Sequence, residues 1–140
     1  MSENTNKTVE LKNVTCLIVD KDKFSRTFIK NALYQIGIHN IKEAPNAGEA
    51  SELVKEFAID IILLDPQMPD KSGLEFVKQL RNTVGSIRNI PIIIITADAQ
   101  EKTVLEAKEL GVRDYLIKPV SPMTLKKRIC NTLGVKQERV

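Results

Sequence analysis

The sequence is poor in the residues that crosslink small secreted proteins or hold structural metals, with two cysteines and one histidine among its 140 residues. Cys16 lies within an apolar run, Cys130 lies within a helical pattern, and His39 stands alone between turn-forming residues. None of the three has neighbours that would complete a ligand set. A disulfide framework and a zinc site are therefore both disfavoured.

Long apolar segments are absent as well. No apolar run approaches the ~18 residues that a membrane span needs, and the first residues, MSENTNKTVE, lack the apolar centre of a secretory signal. We therefore expect a cytoplasmic protein that does not contact a membrane. The formal net charge is only +3, from 21 basic and 18 acidic residues spread along the chain. This spread disfavours nucleic-acid binding, and a solvated helix face explains the basic run Lys126 to Arg128.

What the sequence does contain is a regular alternation of apolar runs and helical periodicities. Between the apolar runs, apolar residues recur at helical spacing, and Gly37, Gly111 and Gly134 follow three of these helices, where a left-handed residue ends a helix readily. Strict alternation of strand and helix predicts an α/β fold, with a parallel sheet and helices on both faces. The apolar runs predict strands over Val14 to Val19, Asn40 to Ala44, Ile59 to Leu64, Pro91 to Ile95 and Asp114 to Ile117.

The alternating pattern covers residues 12–133, and a hydrophobic content of 42% is enough to fill one core. We therefore expect a single domain over these residues. The flanking residues 1–11 and 134–140 are polar and are expected to be flexible tails.

Polar residues that can carry chemistry follow four of the predicted strands. The carboxyl ends of parallel strands meet at the edge where such sheets bind ligands. Each acid or threonine taken alone is more often a helix cap or a turn former. Together they offer carboxylates for a hard cation such as Mg²⁺, and a lysine and a hydroxyl for phosphoryl oxygens. Strand one ends at Asp20, Lys21 and Asp22, strand three at Asp65, strand four at Thr96 and strand five at Lys118.

Three segments resemble the signatures of response-regulator receiver domains, in particular the stand-alone, chemotaxis-receiver-like ones. They are DIILLDPQMPDKSGLEFVKQLR around Asp65, IPIIIITA around Thr96 and GVRDYLIKPVSP around Lys118. The resemblance covers about residues 12–133. It implies a doubly wound, five-stranded parallel sheet of flavodoxin-like order 2-1-3-4-5.

The resemblance also implies roles for individual residues. Asp65 is the phosphoacceptor, and Lys118 is the lysine that contacts the phosphoryl group and precedes a cis bond to Pro119. Mg²⁺ is implied to bind Asp20, Asp65 and the main-chain carbonyl of Gln67. Thr96 is implied as the switch hydroxyl and Tyr115 as the switch aromatic. The side chains of Gln67 and Asp98 are implied to flank the path of the hydrolytic water.

A mechanism and partners follow from the same resemblance. Asp65 receives the phosphoryl group from a phosphohistidine of a sensor histidine kinase or a histidine phosphotransfer protein, since the chain's own His39 lies before strand two, away from the site. Phosphorylation draws the Thr96 hydroxyl towards Asp65 and turns Tyr115 inward. The face formed by helix 4, strand 5 and helix 5 then changes and binds a downstream protein target. Such a protein is a phosphoacceptor with slow autodephosphorylation, not an enzyme.

Beside Asp20 the sequence departs from the family pattern. Lys21 stands where a second metal-binding acid is usual, so the charges of Asp20, Asp65, Lys21 and Lys118 cancel without a metal. We therefore expect weakened Mg²⁺ binding. Two pairs of alternatives stay open. Lys21 leans into solvent or its ammonium partly replaces the cation, and Asp22 turns towards the site or caps helix one.

Two other functions compete with this interpretation. A haloacid-dehalogenase-like phosphatase would use Asp20 as its nucleophile. Against this, Phe24 replaces the threonine or valine of that motif, no acidic pair follows Lys118, and Asp65 would have no role. The other is a degenerate receiver that binds partners without being phosphorylated, which Lys21 keeps open.

Overall fold

The computed structural model describes residues 10–98, 100–112 and 114–135, which form a five-stranded sheet flanked by helices. The strands are β1 (Thr15–Val19), β2 (Asn40–Ala44), β3 (Ile61–Leu64), β4 (Ile92–Thr96) and β5 (Asp114–Ile117). The helices are α1 (Lys23–Gln35), α2 (Ala47–Glu56), α3 (Gly73–Arg81), α4 (Glu101–Glu109) and α5 (Pro122–Leu133). Short 3-10 helices span Leu11–Asn13 and Gly85–Asn89.

The predicted alternation of strands and helices is confirmed, with shifts of one or two residues at three strands. β3 begins at Ile61 instead of Ile59, and β4 runs from Ile92 to Thr96. The short helix Gly85–Asn89 has no counterpart in the prediction, because five residues are too few to show a helical periodicity.

All strands of the sheet are parallel and lie in the order β2-β1-β3-β4-β5, which confirms the predicted doubly wound sheet. The central strands β1 and β3 are neighbours, with Val19 beside Leu64. The ladder continues one residue further, because the N–H of Asp65 donates to the carbonyl of Val19 at 2.9 Å. The residues that follow these two strands, Asp20 and Asp65, therefore lie side by side at the carboxyl edge of the sheet.

Side chains of the sheet alternate between two apolar layers. One layer packs residues such as Leu17 and Ile62 against α2, α3 and α4, and the other packs residues such as Ile18 and Leu63 against α1 and α5. Because both faces are covered, every residue of β3 is buried. The helical stripe of α1 is only partly covered, since Phe24 is 87% and Phe28 is 53% exposed.

Local signals fix where several helices begin and end. Asn46 caps α2 by accepting a hydrogen bond from the N–H of Glu49, and Ser72 caps α3 in the same way through the N–H of Glu75. The glycines predicted to end helices do have positive φ angles, +98° at Gly37, +83° at Gly111 and +69° at Gly134.

The predicted tails fall mostly outside the described residues, which exclude 1–9 and 136–140. Leu11, the last residue of the predicted N-terminal tail, begins a 3-10 helix and packs against the layer of α1 and α5. This apolar side chain is therefore partly covered by the domain. Within the described part of the chain, no helix combines the length and apolar character that crossing a bilayer requires.

Candidate functional site

Two buried carboxylates lie at the carboxyl edge of the sheet. Asp20 follows β1 and is 1% exposed, and Asp65 follows β3 and is 9% exposed. The pairing of β1 with β3 brings them together, as the sequence predicted. Buried carboxylates need hydrogen-bond donors or a cation nearby, because burial without them is costly.

Lys118 brings a cation between the two carboxylates. It follows β5, its N–H donates to the Thr96 carbonyl at 2.8 Å, and the Lys118-Pro119 bond is cis, as predicted. The ammonium nitrogen lies 2.7 Å from Asp20 Oδ2 and 2.7 Å from Asp65 Oδ2. Burial disfavours the charged ammonium, but the hydrogen bonds with both carboxylates outweigh burial and raise the pKa of Lys118 above its ordinary value.

Both carboxylate oxygens of Asp20 are engaged. Oδ1 accepts a hydrogen bond from the N–H of Asp22 at 2.9 Å, and Oδ2 accepts one from the Ser25 hydroxyl at 2.6 Å in addition to that from Lys118. Ser25 is not among the predicted site residues. The one sign of it in the sequence is its place in the first turn of α1, five residues after Asp20.

The loop after Asp65 is held by its own backbone. Asp65 Oδ1 accepts a hydrogen bond from the N–H of Gln67 at 2.9 Å, and the N–H of Gly73 donates to the Pro66 carbonyl at 2.8 Å. A Cβ atom at Gly73 would lie 2.4 Å from Pro66 Cα, so glycine is required for this close approach. The position of the Asp65 carboxylate therefore depends on a closed loop.

Asp70 ties the same loop to helix α2. Its carboxylate oxygens accept hydrogen bonds from the N–H groups of Ala47 at 3.0 Å and Gly48 at 2.9 Å. These backbone donors lower the pKa of Asp70 below its ordinary value. The sequence gives no sign of this contact, because an aspartate in PQMPDKSG is equally typical of a turn.

Thr96 ends β4 beside the carboxylates and is buried. Its hydroxyl lies 3.3 Å from both the N–H and the carbonyl oxygen of Asp98, accepting from the first and donating to the second. Both distances are long for hydrogen bonds of a hydroxyl. Thr96, Gln67 and Asp98 line one open groove of about 150 Å³, so these predicted residues do come together.

Tyr115 lies on β5, half-buried against the layer of α2, α3 and α4. Its hydroxyl is buried, and no described residue provides a hydrogen-bond partner for it. Burial, with smaller contributions from the charges of Asp65 and Asp98, raises the pKa of Tyr115. The hydroxyl is buried in this structure, and the inward turn of the ring after phosphorylation stays a prediction.

The structure distinguishes the alternatives that the sequence left open for the two residues after Asp20. Asp22 Oδ1 accepts a hydrogen bond from the N–H of Phe24 at 2.9 Å, so this acid caps α1 and does not turn towards the site. Lys21 is exposed, which agrees with the alternative in which it leans into solvent. His39 is stacked on Tyr34 at the amino end of β2, with ring centroids 5.6 Å apart, and lies away from Asp65 as predicted.

The residues present fit a bound divalent metal poorly. Mg²⁺ prefers several oxygen ligands in near-octahedral geometry. Here Asp20 and Asp65 converge on an ammonium group, Asp22 is used as a cap, and residue 21 is a lysine. Among the described residues there is no group of three or more His, Cys, Asp or Glu side chains that could hold a metal ion.

Comparison with known proteins identifies the family. The sequence model described as "Response regulator receiver domain" matches residues 16–130. The chain belongs to the response-regulator receiver family. As a receiver of the CheY-like type, it is a component of two-component signalling.

Similar receivers come from several bacteria. The chain is 32% identical over 118 residues to chemotaxis protein CheY-3 of Vibrio cholerae, covering 84% of this chain and 90% of that protein. It is 34% identical over 119 residues to the chemotaxis protein CheY homolog of Campylobacter jejuni, covering 84% and 91%. Among solved structures, a two-component response regulator from Clostridium difficile matches with a TM-score of 0.78 and 30% identity, over 87% of this receiver and 97% of that chain.

Proposed function

We propose that this receiver is a phosphorylation switch in which Asp65 accepts a phosphoryl group from a phosphohistidine. The observation that carries the proposal is the Asp65 carboxylate at the edge of the sheet, with the Lys118 ammonium 2.7 Å from its Oδ2. In the reaction an Asp65 oxygen forms a bond to phosphorus as the bond from phosphorus to the histidine nitrogen breaks. The imidazole keeps the electron pair, and Asp65 becomes an acyl phosphate.

Lys118 and Thr96 are proposed to hold the phosphoryl oxygens. Lys118 already contacts the acceptor carboxylate, so it can stabilise negative charge there without a large movement. The Thr96 hydroxyl gives up its two long contacts with the Asp98 backbone and donates to a phosphoryl oxygen instead. That oxygen is a better acceptor than the Asp98 carbonyl because it is charged. Movement of this segment, which leads into α4, passes the signal on.

The output surface is proposed to be the face of α4, β5 and α5. Leu105 on α4 and Ile117 on β5 are about half exposed there, which suits a protein target with apolar side chains. The phosphoryl donor is a sensor histidine kinase or a histidine phosphotransfer protein in the cytoplasm. The starts of α1 and α5 lie at the same edge of the sheet as Asp65, and Phe24 and Met123, which are largely exposed there, are proposed to contact the donor.

The cofactor and catalytic status follow the same proposal. Mg²⁺, the cation that the family implies, is proposed to bind weakly, because residue 21 supplies no carboxylate and Asp20 is already engaged. The chain is proposed not to be an enzyme beyond slow autodephosphorylation, with Gln67 and Asp98 beside the path of the attacking water.

One alternative has a specific observation in its favour. A degenerate receiver would keep Asp65 paired with Lys118 and bind its partners unphosphorylated, and the lysine at position 21 favours this reading. A phosphatase-like use of Asp20 as nucleophile is disfavoured, because Asp20 is only 1% exposed against 9% for Asp65 and accepts three hydrogen bonds instead of two.

Intact mass spectrometry after incubation with acetyl phosphate distinguishes these functions. We expect wild type to gain one phosphoryl group, Asp65→Asn to gain none, and Asp20→Asn to be labelled more slowly because Lys118 loses a partner. Labelling that persists in Asp65→Asn but disappears in Asp20→Asn would favour the phosphatase-like reaction. No labelling of a folded wild type, even by a phosphorylated histidine donor, would favour the degenerate receiver.

A further inference from the structure

We propose that lysines take the place of the divalent metal in this site, and that Lys118 is the cation held between Asp20 and Asp65. Phosphorylation of Asp65 should then depend little on Mg²⁺. In this arrangement Asp20 positions Lys118, and Ser25 positions Asp20. The inference rests on the proposed phosphorylation of Asp65 and concerns what supports it.

The first observation is the position of the Lys118 ammonium. It lies 2.7 Å from one oxygen of each carboxylate, which is where a cation shared by both would be held. Its side chain is only 21% exposed, so the pair of contacts is protected from solvent. Partly buried ion pairs of this kind are screened much less than surface pairs.

The second observation is that Asp20 already accepts three hydrogen bonds. The Asp22 N–H, the Ser25 hydroxyl and the Lys118 ammonium together occupy both of its carboxylate oxygens. These donors use about three of the four lone-pair positions of the carboxylate, so a metal that bound Asp20 directly would compete with them. The hydrogen bond from Ser25, at 2.6 Å, has the short length of a charge-assisted contact.

The third observation concerns the neighbours of Asp20. Position 21 supplies an ammonium instead of a carboxylate, and Asp22 is committed to the N-terminus of α1. Two carboxylates and one ammonium leave a single net negative charge before the phosphoryl group arrives. That group brings more negative charge than Lys118 alone offsets, and Lys21 is an exposed lysine on a flexible stem directly after Asp20. Lys21 leans into solvent in this structure, and we expect it to turn towards the phosphoryl group as a second cation once that group is bound.

The test compares phosphorylation by acetyl phosphate in excess Mg²⁺ and in EDTA, with intact mass as the readout. For wild type we expect the two rates to agree within about threefold. For Lys21→Asp, which restores a carboxylate, we expect Mg²⁺ to raise the rate by about tenfold or more, since an added charge at close range changes ion affinity by at least that factor. Lys21→Ala removes the ammonium without adding a carboxylate, so it shows the effect of losing the cation alone. We expect it to be phosphorylated more slowly than wild type both in Mg²⁺ and in EDTA.

A second readout does not depend on phosphorylation. In a Mg²⁺ titration followed by NMR, Lys21→Asp should bind Mg²⁺ about tenfold more tightly than wild type. Ser25→Ala should also bind Mg²⁺ more tightly than Thr27→Ala, which is an exposed control on the same helix. Wild type that is phosphorylated only when Mg²⁺ is present would overturn the inference and leave the proposed function standing. Folded protein that is labelled in neither condition, by acetyl phosphate or by a phosphorylated histidine donor, would defeat the proposed function itself, and the inference with it.

Discussion

At the scale of single residues, Lys118 connects the stability of the domain to its chemistry. Its contacts with Asp20 and Asp65 join β1, β3 and β5 at one point. The sequence was sufficient to predict that these three residues meet, because each follows a strand of a parallel sheet. It was not sufficient to find Ser25, because the direction of one hydroxyl in a first helical turn leaves no periodic signal.

Removing this lysine should make stability depend on pH in a defined direction. We expect Lys118→Met to lower the free energy of unfolding by about 3 kcal/mol near neutral pH, because two buried carboxylates lose their cation. The pKa of Lys118 is raised in the folded state, so its stabilising contribution is fully present below the ordinary value of 10.5 and is lost as pH rises through the folded value.

Urea denaturation of wild type and Lys118→Met, followed by circular dichroism from about pH 7 to pH 11, measures this effect. The gap between the two proteins should narrow at the alkaline end. Lys23→Met, at an exposed position, is the control and should show only a small gap. A gap for Lys118→Met that stays constant across this range would show that the ion pairs do not provide the stabilisation.

At the scale of elements, the loop from Pro66 to Gly73 decides where the Asp65 carboxylate lies. The loop closes through the Gly73 to Pro66 hydrogen bond and is tied to α2 by Asp70. Sequence patterns predicted the strand before this loop and the helix after it. They could not predict the contact with α2, since it joins residues 22 and 23 positions apart that share no periodicity.

Alanine substitutions at Gly73, which closes the loop, and at Gly48, in the first turn of α2, should have different effects on stability. Gly73→Ala should destabilise the domain by about 1–3 kcal/mol and slow phosphorylation of Asp65, because a new Cβ would overlap the backbone of Pro66. Gly48→Ala is the matched control. Its Cβ would meet Asn46 and Asp70 at an ordinary 3.5 Å, so we expect it to be neutral or to stabilise α2 by up to about 1 kcal/mol. Thermal and urea unfolding compare the two, and equal effects would contradict the assigned role of Gly73.

At the scale of the whole molecule, strand order and helix placement were predictable because both faces of a parallel sheet must be covered. The exposure of α1 was less predictable. Phe24 and Phe28 continue the helical stripe of Ala32 and Leu33, yet only the second pair is buried. The spacing of the apolar residues shows which side of α1 faces the sheet. It does not show how much of that side the neighbouring elements cover.

The proposed output surface is likewise a property of the whole molecule, because α4, β5 and α5 are distant in sequence from Asp65 and are proposed to be connected to it through Thr96 and Lys118. The Tyr115 hydroxyl, buried without a partner among the described residues, lies on this connection and is expected to respond when Asp65 changes charge. A switch of this kind needs a coupling of about 1–3 kcal/mol between the acceptor and the face.

The most direct test is a ¹⁵N-resolved NMR comparison of the receiver before and after acetyl phosphate, with Asp65→Asn treated identically. Phosphorylation of Asp65 should shift the amide signals of Thr96 and Tyr115 and of α4, β5 and α5, while the signals of α2 away from the loop stay in place. Asp65→Asn should show none of these shifts. Shifts of the same size in Asp65→Asn, or a phosphorylated wild type whose α4, β5 and α5 signals do not move, would contradict the account.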